Sequence, residues 1–514
     1  MTNLKQFPTL SQALAHHAAT RPDAPALSFH PANDEAGSDW MTFGEANAQV
    51  SAIAAALRQH GVASGDRVAV RLGKSAVGLL LFLGVLRAGA IYVPVNPKFT
   101  SRETGILLED ATPSLLIDNK SAELDDAVRE KVRVLGFRNG ESDDLMNSGR
   151  ATGAVAEEPG SNDYAAMLFT SGTTGRPKGA PLTHGNLMSN IGALGAVWGI
   201  SPGDRVLHVL PVFHAHGLFI AAALPLAHGA SVIVTENFDA AQTIRLLPEA
   251  TVFMAVPAIY TRLVQREDFN QAACRHLRLA TSGSAPLSPE LFQTLRDRMG
   301  IYVVERYGLT ETSILTTNPI DGSARVGSVG KPLPTVELRI ADETGAALPP
   351  GEVGQLHART PSTIRGYWNR PELGDEWSED GFFDTGDMGR IDEDGFVWLV
   401  GRKKELIISG GYNVYPREVE NVLETVPGVD EAAVLGVPHP DFGEGVVAAI
   451  KCDPAHPVSR EEIDKLTARD LTSYKRPKAV VFLEEFPRNA MGKVMKNELR
   501  QIYATIFSDN DASS

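Results

Sequence analysis

The residues best suited to chemistry lie in one run, Leu168-Phe169-Thr170-Ser171-Gly172-Thr173-Thr174-Gly175-Arg176-Pro177-Lys178-Gly179. It follows the apolar stretch AAMLF, which reads as a strand leading into a loop. Glycines allow tight turns and expose backbone N–H groups. The hydroxyls of Thr170, Ser171, Thr173 and Thr174 add donors, and Lys178 adds a point charge. Such a set can cradle phosphate. It is not a P-loop, because Pro177 stands five residues after Gly172 and the G-x4-G-K-[ST] spacing fails. On composition alone, a surface loop is the competing reading. Two other patterns carry less. Gly199-Ile200-Ser201-Pro202-Gly203 matches G-x-S-x-G, but the residue after the serine is proline, which has no N–H for an oxyanion. His214-x-His216 has no third ligand nearby in sequence, so the pair does not read as a metal site.

These groups need a scaffold, and the sequence outlines one. GDRVAVRLGKSAVGLLLFLGVLRAGAIYVPVNP reads as strand, helix and strand, with Ser75 as helix N-cap, Gly89 as stop and Ile91–Val95 as the second strand. GDRVLHVLPVFHAHGLFIAAALPLAHGASVIVT repeats the plan, with Gly229 and a strand at Ser231–Val234. Both open on the tetrapeptide Gly-Asp-Arg-Val, at 65–68 and 203–206, so two related βαβ modules with buried parallel strands are expected. From about 335 to 400, strands alternate with Gly-, Asp- and Pro-rich turns, which suits a small antiparallel sheet. After Arg402 comes an α+β unit, in which Ser459 and Glu462 form a capping box. The expected fold is α/β. A large N-terminal domain spans 1–402, with βαβ modules at about 40–160 and 161–334 and a β-rich subdomain at about 335–402; a small C-terminal domain spans 403–514.

Composition bounds the function. The chain has 514 residues, 48 Lys plus Arg and 63 Asp plus Glu, for a net charge of −15. That balance speaks against a generic nucleic-acid or anionic-membrane binder, though not against a few placed cations. Cys274 and Cys452 alone make no disulfide framework and suit a reducing cytosol. No secretory signal is visible, and the apolar stretches 75–97 and 206–235 are broken by Arg87 or by prolines, so no membrane span is expected. A cytoplasmic protein is the expectation.

The Thr170–Gly179 run resembles the signature loop of the adenylate-forming superfamily, which includes acyl-CoA synthetases, luciferases and peptide-synthetase adenylation domains. Four more segments resemble that family's motifs in the family's order: Tyr307-Gly308-Leu309-Thr310-Glu311, Asp384-Thr385-Gly386-Asp387 with Gly401-Arg402, Gly410-Gly411-Tyr412-Asn413-Val414-Tyr415-Pro416, and Pro487 to Lys493. The resemblance implies ATP, Mg²⁺ and coenzyme A. Thr170, Ser171, Gly172, Thr173, Thr174 and Lys178 would hold phosphates, and Glu311 would hold Mg²⁺. Ser284, Ala285, Glu305, Tyr307, Gly308, Asp387 and Arg402 would contact the nucleoside, and Thr310 the α-phosphate. Lys493, Thr310 and His214 are the implied catalytic residues. Gly410 and Gly411 would face coenzyme A, and Lys404 would be the hinge of a mobile C-terminal domain.

Arg306 directly precedes Tyr307. An arginine beside a site that binds a carboxylic acid suggests a second carboxylate on the substrate, because a guanidinium fork grips carboxylate in bidentate fashion. The segments PVFHAHGLFIA, YTRL, SGSAP and ERYGLTET resemble the malonyl-CoA synthetase branch. By that resemblance Arg262 and Arg306, with Ser284, clamp the distal carboxylate of malonate or methylmalonate. Ala215 and Leu309 depart from the branch pattern, which has Thr and Met there, and leave the choice among small dicarboxylic acids open. Oxalate, succinate or a short monocarboxylate is the alternative, and an adenylation domain serving a carrier protein is a more distant one.

Overall fold

The computed structural model describes residues 4–32, 37, 39–119, 124–136, 158–170, 177–489 and 492–507. Among these, the strands form four sheets. The first repeat holds the centre of a six-stranded sheet, in which Arg67–Arg71 pairs in parallel with Ile91–Pro94 and Leu115–Asp118. The second holds the centre of a nine-stranded sheet, in which Arg205–His208 pairs in parallel with Ser231–Thr235 and Val252–Ala255.

The shared tetrapeptide does the same work in both repeats. Asp66 accepts the Ala63 N–H at 2.9 Å, and Asp204 accepts the Ser201 N–H at 2.9 Å, each side chain closing the turn before its strand. The backbone carbonyls of Asp66 and Asp204 then receive the N–H of Ile91 and Ser231, which sets the parallel register. The helix Ala76–Arg87 begins where Ser75 accepts the Gly78 N–H. Arg87 ends it by donating to Ser11 and Asn47, at 2.8 Å each, so a charge closes an otherwise apolar helix without being orphaned.

The module boundary at 160/161 does not coincide with the sheets. Tyr164–Thr170 and Lys178–Thr183 join the first sheet, through Tyr92 paired with Ala166. Pro25–His30 and Met41–Thr42, from before the first repeat, extend the second sheet. Long-range pairing decides both placements. The hairpin has a functional consequence: Thr170 and Lys178 are register partners, so the ends of the Gly/Ser/Thr run stand side by side.

The strands Glu337–Ala341, Gly354–Arg359, Phe383–Ile391 and Val397–Arg402 form an antiparallel sheet. Beyond the short turn Lys403–Glu405, the C-terminal sheet gathers Ile407–Ser409, Tyr412–Val414, Val429–His439, Gly443–Cys452 and Ala479–Phe482 around its own apolar core. The capping box at Ser459 and Glu462 opens the helix Arg460–Asp470. No helix among the described residues is long and apolar enough to cross a membrane.

Candidate active site

The site is assembled from three sheets. In the antiparallel sheet, register places Asp387 opposite Arg402, and Arg402 Nε lies 2.7 Å from Asp387 Oδ1. Tyr307, on the strand Val303–Leu309 of the nine-stranded sheet, donates its hydroxyl to Asp387 Oδ2. Burial raises the Asp387 carboxyl above its ordinary value, and Arg402 opposes the rise. The strand of Tyr307 returns through Thr310 and Glu311 into Ser313–Thr317. Gly308 is required there: a Cβ would meet Ser313 O at 2.1 Å.

The tip of that hairpin meets Thr170, at one end of the Gly/Ser/Thr run. Thr170 Oγ1 donates to Glu311 Oε1 at 3.4 Å, and Tyr367 donates to the same oxygen at 3.0 Å. Lys178 Nζ lies 3.1 Å from Glu376 and 4.7 Å from the centre of the Tyr367 ring. Thr170, Lys178, Thr310 and Glu311 are therefore neighbours or share partners, whereas Ser171, Gly172, Thr173 and Thr174 lie outside the described residues. The sequence reading missed Tyr367 and Glu376. Their only local signal was an aromatic and an acid in a Gly-, Asn- and Pro-rich turn.

Next to Tyr307, Arg306 is 5% exposed, and its Nε and Nη2 have no hydrogen-bond partner among the described residues. Its guanidinium lies flush on Gly283, where a Cβ would meet Arg306 Cζ at 2.5 Å. Burial lowers its pKa to about 10, so it keeps its charge at neutral pH. His216 and His214 each bury an Nε2 without a partner among the described residues. Ser284 Oγ lies 3.4 Å from His216 Nδ1, and Ser284 holds a left-handed backbone with φ of 69°. Strain of that kind in a non-glycine residue concentrates at functional sites. Burial first, then the charge of Arg306, holds His216 well below the ordinary histidine range. Ser284 and Ala285 are exposed, and Arg262 is exposed on the helix Pro257–Val264, where its charge acts on Glu485. Glu305 accepts the Leu287 N–H at 3.3 Å, and burial pushes its carboxyl up to about 7. Ala215 and Leu309 pack against the core.

The C-terminal domain contributes Lys493. Its backbone N–H donates to Asn489 Oδ1 at 3.0 Å, which fixes the turn that carries it. Water reaches its side chain, yet protein encloses it on enough sides that desolvation lowers its pKa; Arg402 and Arg306 push the same way, and Asp387 and Glu405 oppose. His214, pushed down to about 4 by burial, also feels the charge of Lys493. The structure thus joins Lys493, His214, Arg306, Asp387 and Arg402 within one electrostatic neighbourhood. Gly410 and Gly411 lie in the turn between Ile407–Ser409 and Tyr412–Val414. Lys404 is exposed in the turn that links the domains.

This is the architecture of an AMP-binding enzyme with a separate C-terminal domain. The AMP-binding enzyme model matches residues 14–368, and the AMP-binding enzyme C-terminal domain matches residues 418–493. The chain belongs to the AMP-binding enzyme family, and it matches CoA ligases of that family along nearly their whole length. It is 34% identical to an indoleacetate–CoA ligase of Aromatoleum aromaticum, over 96% of this chain and 98% of the relative. It is 32% identical to a long-chain-fatty-acid–CoA ligase of Bacillus subtilis, over 96% and 94%. Its fold is similar to that of ATP-bound MatB from Rhodopseudomonas palustris, with a TM-score of 0.90 and 39% identity over 97% of this chain and 99% of that one.

Proposed function

We propose that this protein is an AMP-forming acyl-CoA ligase whose acid is a small dicarboxylate, malonate or methylmalonate. The observation that carries the proposal is Arg306, a buried guanidinium with two nitrogens unpartnered among the described residues, beside the neutral His214 and His216. A buried charge left unpaired is costly, and a ligand carboxylate removes that cost. A monocarboxylate with an apolar tail would instead leave Arg306 unpaired.

The reaction brings two anions together. One carboxylate oxygen bonds to the α-phosphorus of ATP, and the bond to the β-phosphate bridge breaks, releasing pyrophosphate. The thiol of coenzyme A then attacks the acyl carbonyl, loses its proton, and AMP leaves. Lys178 and the hydroxyl-rich loop would bind the β- and γ-phosphates. Lys493 would stand between substrate carboxylate and α-phosphate, offsetting charge in the transition state. Asp387 and Arg402 would hold the ribose, and Tyr307 the adenine face. The Glu311 carboxylate with the Thr170 hydroxyl makes an all-oxygen donor set, which fits Mg²⁺ held partly by substrate phosphates, and a metal bound there would neutralise phosphate charge. In the second half-reaction Gly410 and Gly411 would turn toward coenzyme A about Lys404. Arg262 is the weaker partner for the distal carboxylate, because it is exposed.

By the resemblance Ala215 and Leu309 would flank the bound acid, and changes of one or two methyl groups there shift preference by about 1–3 kcal/mol. Pyrophosphate release across malonate, methylmalonate, oxalate, succinate and butyrate tests the proposal. Malonate or methylmalonate should lead, and a preference for butyrate would refute the dicarboxylate reading.

A further inference from the structure

Tyr367 falls outside every motif singled out in the sequence, yet it touches both halves of the phosphate site. Its segment is anchored: the Trp368 N–H donates to Gly179 O at 2.8 Å, and the Tyr367 ring packs edge-on against Trp377 with centroids 5.9 Å apart. The ring face takes Lys178 Nζ at 4.7 Å, and the hydroxyl donates to Glu311 Oε1 at 3.0 Å. Lys178 and Glu311 make no ion pair with each other; Lys178 is held by Glu376 instead.

An ammonium and a carboxylate that border the same tyrosine side chain in a partly desolvated site attract each other. If they paired, Lys178 would be lost to phosphate and Glu311 to metal. An aromatic face attracts a cation without neutralising it, and a phenol O–H donates to a carboxylate without neutralising it. We propose that Tyr367 is a positioning residue, a spacer that keeps Lys178 and Glu311 apart so that each can meet its own part of a metal–triphosphate. Glu376 then occupies Lys178 until a triphosphate replaces it. The inference rests on the nucleotide reading of the site but on no particular acid.

The test compares calorimetric binding of AMP, which lacks the β- and γ-phosphates, with that of a non-hydrolysable ATP analogue at increasing Mg²⁺. Tyr367→Leu should bind AMP as the wild type does and the Mg²⁺-loaded analogue about tenfold more weakly, the scale of losing contacts to charged groups. Tyr367→Phe keeps the ring under Lys178, so it should bind AMP and the metal-free analogue normally and lose most of the gain that Mg²⁺ confers. Should Tyr367→Leu fail to fold, Tyr367→Phe decides alone. Equal weakening of AMP and analogue in Tyr367→Phe would mean a merely structural role and overturn the inference, as would an unchanged Mg²⁺ dependence. A wild type that binds neither nucleotide would instead overturn the nucleotide reading itself, and this inference with it.

Discussion

Arg71 and Arg306 are buried to a similar degree, 1% and 5% exposed, one in each of the two large sheets. Arg71 ends its strand with both Asp118 oxygens in reach, at 3.0 and 2.7 Å, and with Thr104 Oγ1 at 3.2 Å. Among the described residues Arg306 has no carboxylate partner, and two of its nitrogens have no acceptor. The sheets that carry them are built around the same Gly-Asp-Arg-Val opening, so the scaffold alone does not explain the contrast. Burial marks structure when the charge is satisfied from within the chain, and it marks a site when the missing partner must come from outside.

The largest expected effect breaks the second half of that contrast. Arg306→Met should lower kcat/KM for malonate about 100- to 1,000-fold, the scale of a lost charge-assisted bidentate contact. It should leave the free energy of unfolding unchanged or raise it, since an unpaired buried charge has been removed. Chemical denaturation alongside acid kinetics checks both arms. The complementary change, Asp118→Ala, strands Arg71 and should cost about 3–5 kcal/mol of stability, with KM for the acid unaltered.

The pH dependence sharpens the comparison through Glu305, the neighbour of Arg306. With its carboxyl pushed up to about 7 by burial, the folded chain keeps a proton that the unfolded chain releases near the ordinary glutamate value. Its contribution to stability therefore falls as pH rises from that ordinary value to about 7 and is level above it. Glu305→Gln should flatten this slope and raise Tm at pH 8 by about a few degrees, as read by scanning calorimetry. Smaller still, Arg262→Ala should raise KM for malonate only about two- to fivefold, as fits a solvent-screened charge. Glu376→Gln should lower KM for ATP by a similar factor by freeing Lys178. A loss with Arg262→Ala as large as that with Arg306→Met would mean that the distal carboxylate is shared equally.

Some of this was legible in the sequence because one short segment determines it. The tetrapeptide repeat predicted two parallel units, and the reason is visible in Asp66 and Asp204, which close equivalent turns. The position of Arg306 next to Tyr307 pointed to the cluster it joins with His216 and Lys493. Contacts set by tertiary assembly were not legible. The pairing of Tyr92 with Ala166 moved a hairpin from one sheet to the other. The partner of Lys178 is a glutamate 198 residues away. Tyr367 gave no periodic or spacing signal, because its role depends on two residues from other elements meeting at its ring and its hydroxyl.

The central claim is that Arg306 is buried for a substrate carboxylate. Pyrophosphate release by the wild type and by Arg306→Met, each with malonate and with butyrate, tests it most directly. The account predicts a wild type that strongly prefers malonate and a variant in which that preference disappears while butyrate turnover holds or rises. A wild type that prefers butyrate, or a variant that still prefers malonate, would contradict it.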